Sequence, residues 1–81
     1  MSIDRGSAEF EFEQLATILR RRIGNREYPP GSKMPPFLRL QEEFGLASMT
    51  VRRAVHVLAD EGLLIVKPGR GTYVRDDGAP P

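Results

Sequence analysis

Eighty-one residues leave room for one small domain, and the lack of cysteine excludes both a disulfide and a thiolate zinc site as supplements to its core. With 40% apolar and 28% charged residues the composition is that of an ordinary globular chain, and no stretch approaches the roughly 18 apolar residues that a membrane span needs. The net charge of +1 is unevenly placed: residues 45–75 hold five cations (Arg52, Arg53, Lys67, Arg70, Arg75) against two acids (Asp60, Glu61), residues 1–44 balance, and Asp76 and Asp77 are acidic. A local positive patch of this kind is what a polyanion partner requires, although a solvated charged face would have the same composition.

Residues 1–9 show no periodicity and contain Gly6 and Ser7, so they are expected to form a flexible arm. The opening MSIDRGSAEF lacks the apolar core of a signal peptide, which makes the cytoplasm the expected location. From Phe12 the residues Phe12, Leu15, Ala16, Leu19 and Ile23 fall at i, i+3, i+4, i+7 and i+11 and predict a first amphipathic helix ending near Gly24 and Asn25. Arg20, Arg21 and Arg22 lie near its carboxyl end, where cations complement the helix dipole; this structural role is preferred to phosphate contact.

Tyr28, Pro29, Pro30, Gly31 and Ser32 force a turning connector, and Lys33 and Met34 are candidates for a very short strand. Pro35 and Pro36 suit the first turn of a second helix, about Pro36 to Phe44, whose Phe37, Leu40 and Phe44 share a face and which Gly45 stops. A short turn, Gly45 to Ala47, leads into a third helix in which Val51, Ala54, Val55 and Leu58 form the buried face. Its other face carries Thr50, Arg52, Arg53 and His56. Two helices meeting through a tight glycine turn make a helix-turn-helix, and a packed helix with a short basic outer face suits the DNA major groove, where arginine bonds two guanine acceptors. Gly62 ends the helix, and Leu63 to Val66 and Thr72 to Val74 are β-prone runs around the turn Lys67, Pro68, Gly69, Arg70, Gly71, a hairpin with two cations at its tip.

No catalytic constellation can be assembled. The carboxylate pairs Glu42/Glu43, Asp60/Glu61 and Asp76/Asp77 are sequence neighbours and do not share a helix face, and His56 lacks a partner at ligand spacing. Gly69 and Gly71 are explained by a hairpin turn rather than a phosphate loop. The chain is therefore expected to be no enzyme and to need neither cofactor nor metal.

Four motifs in order, EYPPGSKMP at Glu27 to Pro35, EEFG at Glu42 to Gly45, TVRRAVHVLADEGLL at Thr50 to Leu64 and GRGTYV at Gly69 to Val74, resemble the DNA-binding domain of the GntR family of bacterial transcription regulators. The resemblance runs over roughly Phe12 to Val74 and implies an α+β winged helix-turn-helix: three helices, a small antiparallel hairpin wing and a third short strand near Lys33 and Met34. It implies that residues 10–75 form the domain between the arm and a tail or linker at 76–81. In the family, positions matching Ala47, Ser48, Met49, Thr50 and Arg52 enter the major groove, and the wing tip matching Pro68 and Gly69 meets the minor groove. Arg53 and Arg70 join them as candidate DNA contacts from their places on the helix and the wing.

Departures from the family pattern are as informative. Family members usually carry a serine, an acid, an arginine and another acid where this chain has Pro36, Phe37, Leu38 and Arg39, so a capping box and a DNA-contacting arginine are both missing. Ser48 stands where a second arginine is usual, and Met49 replaces a common threonine and is available to pack on a thymine methyl group. Ile65 and Val66 replace residues that are usually polar, forming a sticky patch if exposed or a partner surface if covered. The larger effector-binding, dimerising domain of the family has no counterpart among these residues, so no effector is expected to bind here. The partner expected is double-stranded DNA carrying a palindromic operator, bound by copies that are monomeric or weakly dimeric alone and paired on DNA, with repression as the expected outcome. The competing expectation is a winged-helix protein-interaction module in which Met49, Ile65 and Val66 make the contact and Arg52 merely pairs with an acid.

Overall fold

Three helices and a hairpin follow one another along the chain: α1 (Glu11–Gly24), α2 (Phe37–Phe44), α3 (Ser48–Asp60), β1 (Leu64–Lys67) and β2 (Gly71–Val74). The computed structural model describes Ile3, Gly6 and residues 9–76. The expected arm at 1–9 and tail at 76–81 thus fall mostly outside the described residues. Of the arm, Ile3 is half-buried against the core, a contact that the lack of periodicity hides.

The apolar spacing of α1 buries Leu15, Ala16 and Leu19 and half-buries Phe12 and Ile23; Ile18, outside that spacing, is buried as well. Phe10 has no side-chain oxygen to cap the helix, and the Glu13 carboxylate instead accepts the Phe10 N–H at 3.4 Å. At the other end the left-handed residue is Arg26 (φ 66°), two positions beyond the glycine at 24. Its N–H reaches the Ile23 carbonyl at 3.2 Å, and the Tyr28 N–H reaches that of Arg22 at 3.2 Å. A side chain in this conformation is strained, so Arg26→Gly is expected to raise stability by roughly 0.5–1 kcal/mol after the added freedom of the unfolded chain is subtracted. Urea denaturation checks this; a loss of stability would show that the Arg26 side chain contributes more than its backbone costs.

In α2 the helix begins at Phe37 with Pro36 as its N-cap, one residue later than expected, because Pro36 is extended (ψ 152°). Leu40 and Phe44 are buried and Phe37 is half-buried. Gly45, left-handed at φ 65°, ends the helix, and the Leu46 N–H closes on the Gln41 carbonyl at 3.2 Å while its side chain fills the turn. Helix α3 then starts at once. Val51, Ala54, Val55 and Leu58 are at most 1% exposed, so the expected seam is sealed against α1 and α2 along its whole length. Beyond Glu61 the chain closes by two bonds, Gly62 N–H to the Ala59 carbonyl and Leu63 N–H to that of Leu58, both 3.0 Å, the pairing of a Schellman motif. Leu63 therefore belongs to the helix end rather than to the strand.

The hairpin is antiparallel, with Leu64 opposite Val74, Ile65 opposite Tyr73, Val66 opposite Thr72 and Lys67 opposite Gly71. Leu64, Thr72 and Val74 turn inward and are buried. The third strand reduces to one antiparallel bridge, Lys33 to Tyr73. Around it the Met34 N–H bonds the Thr72 carbonyl (2.7 Å), the Val74 N–H that of Ser32 (2.8 Å) and the Gly31 N–H that of Val74 (2.9 Å). Those bonds cover the free edge of β2, which would otherwise offer a template for pairing with another chain.

Candidate nucleic-acid interface

Because successive helical side chains turn by about 100°, Met49, Arg52, Arg53 and His56 form a stripe opposite the sealed seam of α3. With Thr50 and with Phe12 of α1 they line an open groove. Met49, one of its lining residues, is 69% exposed. The two arginines lie over rings: the guanidinium carbon of Arg52 lies 5.6 Å from the ring centre of Phe37, and that of Arg53 4.2 Å from that of Phe12, on which Phe10 stacks at 6.0 Å. Among the described residues neither arginine pairs with a carboxylate.

The arginines of α1 are arranged otherwise. Arg20 donates to both oxygens of Glu61 at 2.9 and 2.6 Å, tying α1 to the end of α3. Arg22 donates to both oxygens of Glu43 at 3.2 and 2.5 Å and to the Tyr28 hydroxyl at 2.7 Å, and its guanidinium carbon lies 5.1 Å from the centre of the Phe44 ring. Arg20 and Arg22 thus bridge α1 to other elements, a structural role different from the dipole compensation expected of the run.

Hydrogen bonding from Arg22 holds the Glu43 carboxyl below the usual glutamate range, and Arg20 does the same for Glu61. A carboxyl whose pKa is depressed by folding contributes stability above its unfolded pKa, and that contribution is lost as pH falls through the folded value. Thermal stability should therefore fall as pH drops below about 4.3, the ordinary glutamate value. Glu43→Gln should be less stable at neutral pH and show a shallower acid decline; an unchanged slope would exclude Glu43 from the linkage.

At the wing tip, Pro68 and Gly69 occupy the centre of a turn in which the Arg70 N–H bonds the Lys67 carbonyl at 2.9 Å; Gly69 at φ 74° fits the third position of a type II turn. Gly71 follows at φ 124°, and a Cβ there would meet the Lys33 Cε at 2.7 Å. Gly71→Val is thus expected to cost about 1–3 kcal/mol from backbone strain, with greater disorder in the wing than in the helices. Amide hydrogen exchange residue by residue checks it; uniform loss of protection would contradict a wing-local effect. On the outer face of the hairpin the Lys67 ammonium lies 4.8 Å from the centre of the Tyr73 ring.

The structure thus gathers Met49, Thr50, Arg52 and Arg53 in one groove and places Ala47 and Ser48 exposed at the start of α3. Pro68, Gly69 and Arg70 are exposed at the wing tip and do not line that groove. Sequence reasoning missed Phe12 as a groove wall and Lys33 as a cation beside the wing. Ile65 and Val66, at 41% and 38% exposed, are an uncovered apolar pair. Leu38, at the position of the absent family arginine, is 62% exposed.

A recognition helix held by a glycine turn against a second helix and followed by a hairpin defines a winged helix-turn-helix. Residues 12–74 match the family described as "Bacterial regulatory proteins, gntR family", and the chain belongs to that family. It is 36% identical over 66 residues to the mannosyl-D-glycerate transport/metabolism system repressor MngR of Escherichia coli, covering 82% of this chain and 28% of that repressor. Its backbone is similar to that of YtrA from Sulfolobus acidocaldarius, a GntR-family transcription factor (TM-score 0.84, 30% identity, 94% of this chain and 65% of that one). It is also similar to AraR(DBD) in complex with operator ORE1 (TM-score 0.80, 26% identity, 89% of this chain and 88% of that one).

Proposed function

We propose that this chain reads double-stranded DNA sequence-specifically as the DNA-binding part of a bacterial transcription regulator acting as a repressor, with α3 in the major groove and the wing near the minor groove. The observation that carries this reading is the outer face of α3, where two arginines without carboxylate partners among the described residues flank an exposed stripe opposite a sealed seam. Support also comes from the operator complex of AraR(DBD) and from the repressor name of MngR. A protein-interaction module needed Arg52 to be tied to an acid, and no described carboxylate holds it.

The contacts proposed are Ala47, Ser48, Met49, Thr50, Arg52 and Arg53 on α3 and Pro68, Gly69 and Arg70 on the wing, within a domain at residues 10–75. Two copies, monomeric or weakly dimeric alone, pair on the half-sites of a palindromic operator in the cytoplasm. Having Leu38 and Ser48 in place of arginines removes up to two guanine readers, each worth roughly 1–3 kcal/mol of base discrimination. Selection from a random duplex pool tests the reading. The expected product is a palindrome that departs from the family's usual GT and AC arrangement, with modest guanine preference and thymine near Met49. Failure to enrich any sequence would overturn sequence-specific binding, and recovery of the ordinary pattern with strong guanine preference would overturn the role given to Leu38 and Ser48.

A further inference from the structure

A guanidinium is a flat group with two separate binding surfaces: its faces stack on aromatic rings and its edge carries five N–H donors. Arg22 uses both at once, lying over Phe44 while its edge donates to Glu43. Arg52 over Phe37 and Arg53 over Phe12 show half of that arrangement, with a ring 5.6 and 4.2 Å from the guanidinium carbon and no described carboxylate partner. The two rings come from different helices, Phe37 from the first turn of α2 and Phe12 from that of α1.

We propose that Phe37 and Phe12 are positioning residues for DNA reading: each ring holds the guanidinium of Arg52 or Arg53 by its face and leaves the edge to bond a base or phosphate. A long side chain loses rotamer freedom when it meets DNA, and prior stacking on a ring reduces what remains to be lost. This inference rests on the DNA-reading role of α3.

The test is a double-mutant cycle on the full chain with the duplex obtained by selection and a set of single base-pair changes in it. Phe37→Leu keeps an apolar side chain in the half-buried site but removes the π face. It should lower discrimination at the base pair read by Arg52, the pair whose preference Arg52→Ala relaxes, by roughly two- to fivefold. Phe37→Tyr should retain discrimination, and Phe37→Leu should add nothing in the Arg52→Ala background. Phe12→Leu should behave likewise toward Arg53. Unchanged discrimination, equal losses with and without Arg52, or tighter binding by Phe37→Leu would overturn the proposal; thermal midpoints of each variant identify a loss that comes from unfolding alone.

Side-chain NMR of the free chain reads the stacking without DNA. Ring-current shifts of the Arg52 and Arg53 side-chain protons should be present in the wild type and vanish in Phe37→Leu and Phe12→Leu respectively. Their absence from the wild type would overturn the inference whatever the DNA result. Shifts present in a chain that binds no duplex would overturn the DNA reading and, with it, the role given to the rings.

Discussion

Arg52→Ala is expected to weaken binding to the selected operator by about 1–3 kcal/mol while leaving the thermal midpoint nearly unchanged. The side chain is exposed on the face of α3 opposite its buried seam, so its removal opens no cavity and breaks no described ion pair. Its free edge matches the two acceptors of guanine, and loss of a base contact should relax preference at one operator position. A phosphate contact would instead weaken all sequences alike and lessen the salt dependence. Affinity unchanged at matched salt would remove Arg52 from the interface.

Leu58→Ala should have the larger effect on stability, about 2–5 kcal/mol, because a fully buried leucine loses its transfer energy and leaves a cavity. Leu58 is 0% exposed in the same cluster as Leu15, Leu19, Leu40 and Val51, and its carbonyl also accepts the Leu63 N–H that closes α3. At roughly 0.05–0.15 kcal/mol per residue a domain of this size is only marginally stable, so the substitution removes a large share of its margin. Operator binding should fall in parallel with the folded fraction, since the seam holds the reading face in place. Chemical denaturation followed by circular dichroism measures it; a loss below about 1 kcal/mol would mean that the site collapses around the smaller side chain.

The parts of this fold written in local periodicity were legible. The four apolar positions of α3 repeat at helical spacing and all four are buried, and Gly45 and Gly62 stop helices where a left-handed residue was needed. What local pattern does not encode is which distant residues meet. The partners of Arg20 and Arg22 lie 41 and 21 positions away, so a run that reads as dipole compensation became two bridges between elements. The first helix ends at Gly24, as its spacing suggested, but the left-handed residue that follows is Arg26, which no local pattern marked. At the site, the outward stripe on α3 was readable from the same period as the seam. The rings beneath Arg52 and Arg53 were not, although an aromatic residue at position 37, where relatives usually carry an acid, was the available signal.

Backbone amide chemical-shift mapping of the chain on titration with the selected palindromic duplex tests most directly whether the outer face of α3 and the wing tip form one DNA-binding surface. Perturbations should concentrate at residues 47–53 and at Gly69 and Arg70, in a complex of two chains per duplex. Perturbations confined to Ile65, Val66 and their surroundings, with 47–53 unaffected, would contradict the assignment of α3 as the reading helix.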